Sequence, residues 1–171
     1  MKTKKQAALA DSFLATLDDE TAVLYRRIMD CLEELGYAPQ KGKNGLSFKH
    51  ALHAKQIAKM GMRTGKTTYP FFALRFSGCK GYSKRFEDIV EANIRQYPKK
   101  VSSCVDGGCH FCAGAPWTHV YAFAFPDGKR KAHCGAYALE IPQLDPEDME
   151  EIEKLIREEH AYLLAQEVHG S

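Results

Sequence analysis

The stretch Asn44–Ser77, NGLSFKHALHAKQIAKMGMRTGKTTYPFFALRFS, decides the fold. It reads in two ways. Ser47 can cap a helix that Gly61 closes. Alternatively, Gly45 opens one strand, Gln56–Arg63 forms a second, and TGKT turns the chain into a third over Tyr69–Ser77. Phe71–Phe76 is rich in the aromatic residues that suit a pleated, half-buried surface, and such a strand needs a neighbour. The strand reading is therefore preferred. His50 and His53 stand three apart with no carboxylate or cysteine beside them, and read as surface or packing residues.

Upstream, KKQAALADSFLATL reads as a short helix, and Asp18 or Asp19 caps a second. In that second helix Val23, Leu24, Ile28, Cys31, Leu32 and Leu35 recur every three or four positions, and Gly36 ends it as the C′ residue. Cys31 lies in this stripe as a small core residue. Downstream, Ser83 caps a helix with Phe86, Ile89, Val90 and Ile94 facing in, closed by Pro98. THVYAFAF alternates, with His119, Tyr121, Phe123 and Phe125 on one face; PDGK turns; RKAHCGAYALEI returns as the partner strand. Asp145 caps a last helix, with Pro146 in its first position and Met149, Ile152, Ile156 and Leu163 as its buried stripe. The expected architecture is a single α+β domain spanning 1–171, an antiparallel sheet with helices packed on it. Its N-terminal helices occupy 1–36, a cysteine-rich loop 99–117 and a C-terminal helix 145–167.

The loop carries the strongest chemical signal. In SCVDGGCHFCAG, Cys109 and Cys112 are two residues apart, a spacing that lets both sulfurs approach one ion while glycines allow a tight path. Cys134 follows on the returning strand of the hairpin, and Cys104 is the local candidate for the fourth ligand. A four-thiolate set of Cys104, Cys109, Cys112 and Cys134 implies a closed, tetrahedral, structural zinc site with no position for an activated water. Such a site would fasten the loop to the hairpin. Cys79 is the rival for the fourth position; His110 and His133 are weaker choices, since adjacent residues on an extended chain point apart. The C-x4-C-x2-C run with a distant cysteine also matches [2Fe–2S] ligation. A redox C-x-x-C and a reactive Cys79 are further alternatives.

Charge is balanced in total, 24 Lys and Arg against 22 Asp and Glu, but unevenly placed. Gly36–Phe86 holds no acidic residue and 11 cations, whereas Glu140–Glu167 holds 10 acidic residues against Lys154 and Arg157. The two segments can complement each other, or the first can bind anions or nucleic acid. FSGCKGYSKRF places Lys80, Lys84 and Arg85 around a helix start, a candidate anion site. No nucleophile–base pair, paired carboxylates or metalloprotease motif is present. With no apolar run long enough for a membrane span and no signal peptide, a cytoplasmic location is expected.

Two helices leading into NGLSF and then strands resemble, in organisation, small bacterial α+β domains of the frataxin-like iron-chaperone type. The resemblance covers about a third of the chain, implies metal or ligand handling, and transfers no functional residue. The expected function is a non-catalytic zinc-binding module that presents a pocket or basic face to a small ligand or a protein partner. The alternatives are a thiol or redox enzyme using Cys79 or Cys109/Cys112, and an anion- or nucleic-acid-binding protein using residues 36–86.

Overall fold

In the computed structural model, Asn44–Ser77 forms strands. The structure describes residues 3–100, 102–107, 109, 111–112 and 114–168. Helices α1 (Lys4–Leu14) and α2 (Asp19–Glu34) precede strands β1 (Tyr37–Gly42), β2 (Gly45–His50), β3 (Gln56–Arg63) and β4 (Tyr69–Leu74). Helix α3 (Lys84–Gln96), strands β5 (Val120–Ala124), β6 (Arg130–Cys134) and β7 (Leu139–Ile141), and helix α4 (Met149–Val168) follow. The chain is α+β, with an antiparallel meander β1–β4 in a five-stranded sheet ordered β1-β2-β3-β4-β7 and a separate β5–β6 hairpin. It divides into two compact units, Met1–Leu74 with Glu140–Arg157, and Arg75–Leu139 with Glu158–Ser171. Among the described residues no helix is long and apolar enough to cross a membrane.

In the first unit, register decides which side chains are buried. Leu46 pairs with Met60, Phe48 and Leu74 with Ala58, and Phe72 with Met60. Cross-strand partners share a face, so these side chains form one apolar surface. Helices α1 and α2 pack on β1, and Tyr25, Ile28 and Leu32 of α2 are buried. Removing each such large side chain from water is worth about 1.5–3 kcal/mol. Gly36 ends α2 with φ +86°, and the His50 ring fills the space where a Cβ would stand. His50 and His53 stack at 3.9 Å with Tyr37 edge-on to both, a packing role. Arg27–Glu153 (2.5 Å) and Arg157–Glu34 (3.4 Å) join α2 to the first half of α4. Strand β1 had no signal in the sequence, because Pro39 and Lys41 break the apolar alternation. It lies at the sheet edge, where a missing N–H is tolerated.

In the second unit, α3 packs on β5 and β6, with Phe86, Ile89, Val90 and Ile94 buried as expected. The expected partner strand Arg130–Ile141 is divided. Strand β6 stops at Cys134, the chain turns with Tyr137 N–H donating to the Cys134 carbonyl (3.0 Å), and β7 joins the other sheet. Gly135 explains the break. Its N–H donates to the His119 carbonyl and its carbonyl accepts from Phe76 N–H, both at 2.9 Å. A Cβ there would stand 2.5 Å from the Ser77 backbone nitrogen and Cα. Strand β5 likewise starts later than expected, at Val120, because Pro116–His119 is a 3-10 turn.

Glu159 of α4 is fully buried. Its carboxylate accepts from Gly78 N–H (2.6 Å) and from Arg75 Nε (3.3 Å), fixing the turn after β4. Burial pushes this carboxyl above the ordinary range, and the Gly78 and Arg75 donors pull against it.

Two outcomes follow for stability. Gly135→Ala forces the Ser77 backbone to move and should cost about 1–3 kcal/mol in urea unfolding; an unchanged midpoint would contradict the close approach. Glu159 has a folded-state pKa above its unfolded value, so its contribution is fully present below about pH 4.3 and is lost as pH rises toward the folded value. The stability of Glu159→Gln relative to the parent should therefore climb with pH above about 4 and then level off. A flat difference between pH 4 and about 8 would contradict the burial cost.

Candidate metal centre in the cysteine loop

The β5–β6 register assigns two sides to the hairpin. Val120, Ala122 and Ala124 pair with Cys134, Ala132 and Arg130 and share one side; Tyr121 and Phe123 pair with His133 and Lys131 on the other. The cysteine loop lies against the first side. Ser102 N–H donates to the Ala132 carbonyl (2.8 Å), and Ser102 Oγ accepts from Cys104 N–H (3.2 Å). Gly107, at φ +76°, closes a turn by donating to the Cys104 carbonyl (3.3 Å). Cys104, Val105 and Cys109 then pack on Val120, Ala122 and Ala132.

Of the four expected ligands, Cys104 and Cys109 pack against the side of the hairpin on which Cys134 stands. The Cys104 thiol hydrogen-bonds the Cys109 thiol, and both Cys109 and Cys134 act electrostatically on it. Cys104 is buried, while Cys109 and Cys134 are half-buried. Burial pushes the Cys104 thiol up, the Ser102 hydroxyl opposes this, and the neighbouring thiols add to the rise.

Cys112 is placed differently. It hydrogen-bonds the Tyr162 hydroxyl, which lies 2.7 Å from His119 Nδ1. His119 Nε2 is 3.3 Å from the Gly114 carbonyl, so Nε2 carries the proton and Nδ1 accepts from Tyr162. Burial is the main cause that pushes the Tyr162 phenol up, with Cys112 next. Among the described residues, no group of three His, Cys, Asp or Glu side chains is arranged to hold a metal ion. His110 lies outside the described residues.

The remaining candidates are dispersed. Cys79 is fully buried, with Sγ 3.9 Å from the Arg75 carbonyl, so its thiol offers no surface to a substrate. His133 is buried on the side away from the thiols, 3.4 Å from the Tyr121 hydroxyl, which itself donates to Asn93 (3.0 Å). Of the expected anion-binding trio, Lys80 Nζ donates to the Val120 carbonyl (2.9 Å) and Lys84 pairs with Asp88 (2.8 Å) and Glu87 (3.6 Å). Arg85 is exposed on α3. The basic segment 36–86 is likewise scattered: Lys41 and Lys59 are placed on opposite sides of the sheet by the register, and Arg63 and Arg75 pair with Glu140 and Glu159.

Tyr162 and Glu159 had no role in the sequence reading. A signal for Glu159 was present, because it continues the apolar stripe three positions after Ile156 and four before Leu163. Comparison with protein-family models, with curated proteins and with solved structures gives no match, so the chemistry of the site rests on this chain's own residues.

Proposed function

We propose that Cys104, Cys109 and Cys134, with Cys112 as the fourth ligand, bind a structural zinc ion that clamps the loop to the β5–β6 hairpin. What supports this reading is that Cys104 and Cys109 pack on the side of the hairpin that carries Cys134, up to thirty residues away in the chain. Packing alone gives this loop little hold, because the side chains beneath it are one valine and two alanines, Val120, Ala122 and Ala132. Small cores of this kind are commonly reinforced by a metal. Thiolates suit zinc, and a closed thiolate site leaves no open position, so the role is structural. Zinc supplies four directed bonds to sulfur. The chain supplies the Ser102 and Gly107 turns that bring Cys104 and Cys109 to β6. Cys112 reaches the cluster by exchanging its Tyr162 hydrogen bond for the metal.

The clamp would present the loop and its exposed aromatics, Phe111 (98% exposed) and Trp117 (43%), to a small ligand or protein partner. A cytoplasmic location, where clustered cysteines more often bind metal than pair, belongs to the same reading.

A second reading has its own observation, the hydrogen bond between the Cys104 and Cys109 thiols. By thiol–disulfide exchange with a partner disulfide, the pair would form an S–S bond and pass two electrons and two protons to that partner.

Metal analysis of the purified chain separates these readings. The zinc reading predicts a single zinc per chain, lost in Cys109→Ser and Cys134→Ser, and a lower melting temperature after chelation. Cys112→Ser should weaken retention without abolishing the Cys104–Cys109–Cys134 contact. A metal-free parent protein, or full stoichiometry in Cys109→Ser, would overturn the zinc assignment. Visible absorption with bound iron and sulfide would replace it with a cluster.

A further inference from the structure

Where the end of α3 meets the tip of the hairpin, cations lie over aromatic rings. The Arg95 guanidinium stands 4.8 Å from the centre of the Phe125 ring, and the Lys131 ammonium 6.0 Å from the same ring. Lys100 Nζ lies 4.0 Å over Tyr97, and Phe123 meets Phe125 edge-on at 5.2 Å. These groups form one patch. The buried His133 ring hydrogen-bonds the Tyr97 carbonyl and senses the charges of both Lys100 and Lys131. Acidic neighbours are few. Glu91 pairs with Arg95 at 2.6 Å, and Asp127 pairs with Lys129 at 3.0 Å and also feels the charge of Lys131.

Significant cation–ring pairs occur about once per 70–80 residues. Two of them, Arg95 and Lys131 over Phe125, meet at the tip; Lys100 over Tyr97 lies along the same side of the hairpin near His133, and a fourth, Arg130 over Trp117 at 4.1 Å, lies on the other side of β6. Tyr97, Lys100 and Arg95 are exposed, and Phe123, Phe125 and Lys131 half-buried, so packing does not account for the concentration of rings and cations. Positive charge set beside aromatic faces is the chemistry that holds a single strand, phosphates on the cations and bases stacked on the rings.

We propose that Arg95, Tyr97, Lys100, Phe123, Phe125 and Lys131 form a binding surface for single-stranded nucleic acid. Phosphates draw Lys100, Lys131 and Arg95 off the rings they now cover, and the ring faces of Tyr97 and Phe125 so uncovered receive bases. This surface is separate from the basic segment 36–86 and does not rest on the zinc reading.

The test is fluorescence anisotropy of a labelled oligothymidylate of about 20 nucleotides with the full chain, titrated across salt concentrations. Three phosphate contacts predict a log–log salt slope of about −2, falling to about −0.7 when Lys100→Gln and Lys131→Gln are combined. Phe125→Leu should keep the slope and weaken binding about 10-fold, and Tyr97→Leu should do the same at a more exposed position. Inorganic polyphosphate should compete poorly, since it has no bases. No binding at about 50 mM salt would overturn the proposal. So would ring variants that bind like the parent, or polyphosphate that competes as well as the oligonucleotide; either would leave a plain anion-attracting surface.

Discussion

The pairing of Val120 with Cys134 governs the chemistry of the second unit. In an extended strand, neighbouring side chains point to opposite sides. Once Cys134 faces the loop, His133 must face α3, and Ala132 must lie under the loop beside Val120 and Ala122. A one-residue slip would exchange these roles. It would turn the Cys134 thiol toward Tyr121 and Asn93, and set His133 against Cys104 and Cys109. Gly135 secures the register, because its two backbone hydrogen bonds and its contact with Ser77 admit no side chain.

The two sides of the hairpin are held by different physics. On the α3 side, large residues fill the space: Tyr121 and Phe76 meet edge-on at 6.0 Å, and the buried polar atoms of Tyr121 and His133 have partners. On the loop side, the side chains are small and the loop has little regular structure. Alanine and valine contribute modest burial there, which is the reason a metal clamp is proposed for this side. The same contrast separates the fixed Glu159–Arg75–Gly78 turn, built from two directed contacts inside the unit, from the cysteine loop.

Much of the fold was legible because periodicity reports burial. The strands across Asn44–Ser77 follow from β-forming composition and turn residues, and α2, α3 and α4 from their apolar stripes. Strand β1 was not legible, since an edge strand with Pro39 needs no alternation. The split between β6 and β7 was hidden because a glycine in a strand-like run does not say whether it packs against distant backbone. The spacing of Cys109 and Cys112 fixes how far apart their backbones lie, but not which way each thiol turns. Tyr162 captures Cys112 from fifty positions away, through a contact no local pattern encodes. That the cysteine loop packs against the hairpin was legible, because a hairpin brings its second strand back beside the segment that precedes its first.

The central claim is that sulfur atoms from the loop and from β6 share one metal ion. X-ray absorption at the zinc edge of the purified chain tests it most directly. The account predicts a first shell of sulfur at about 2.3 Å, with four scatterers when Cys112 has left Tyr162 and joined the site. A first shell of nitrogen and oxygen alone near 2.0 Å would contradict it.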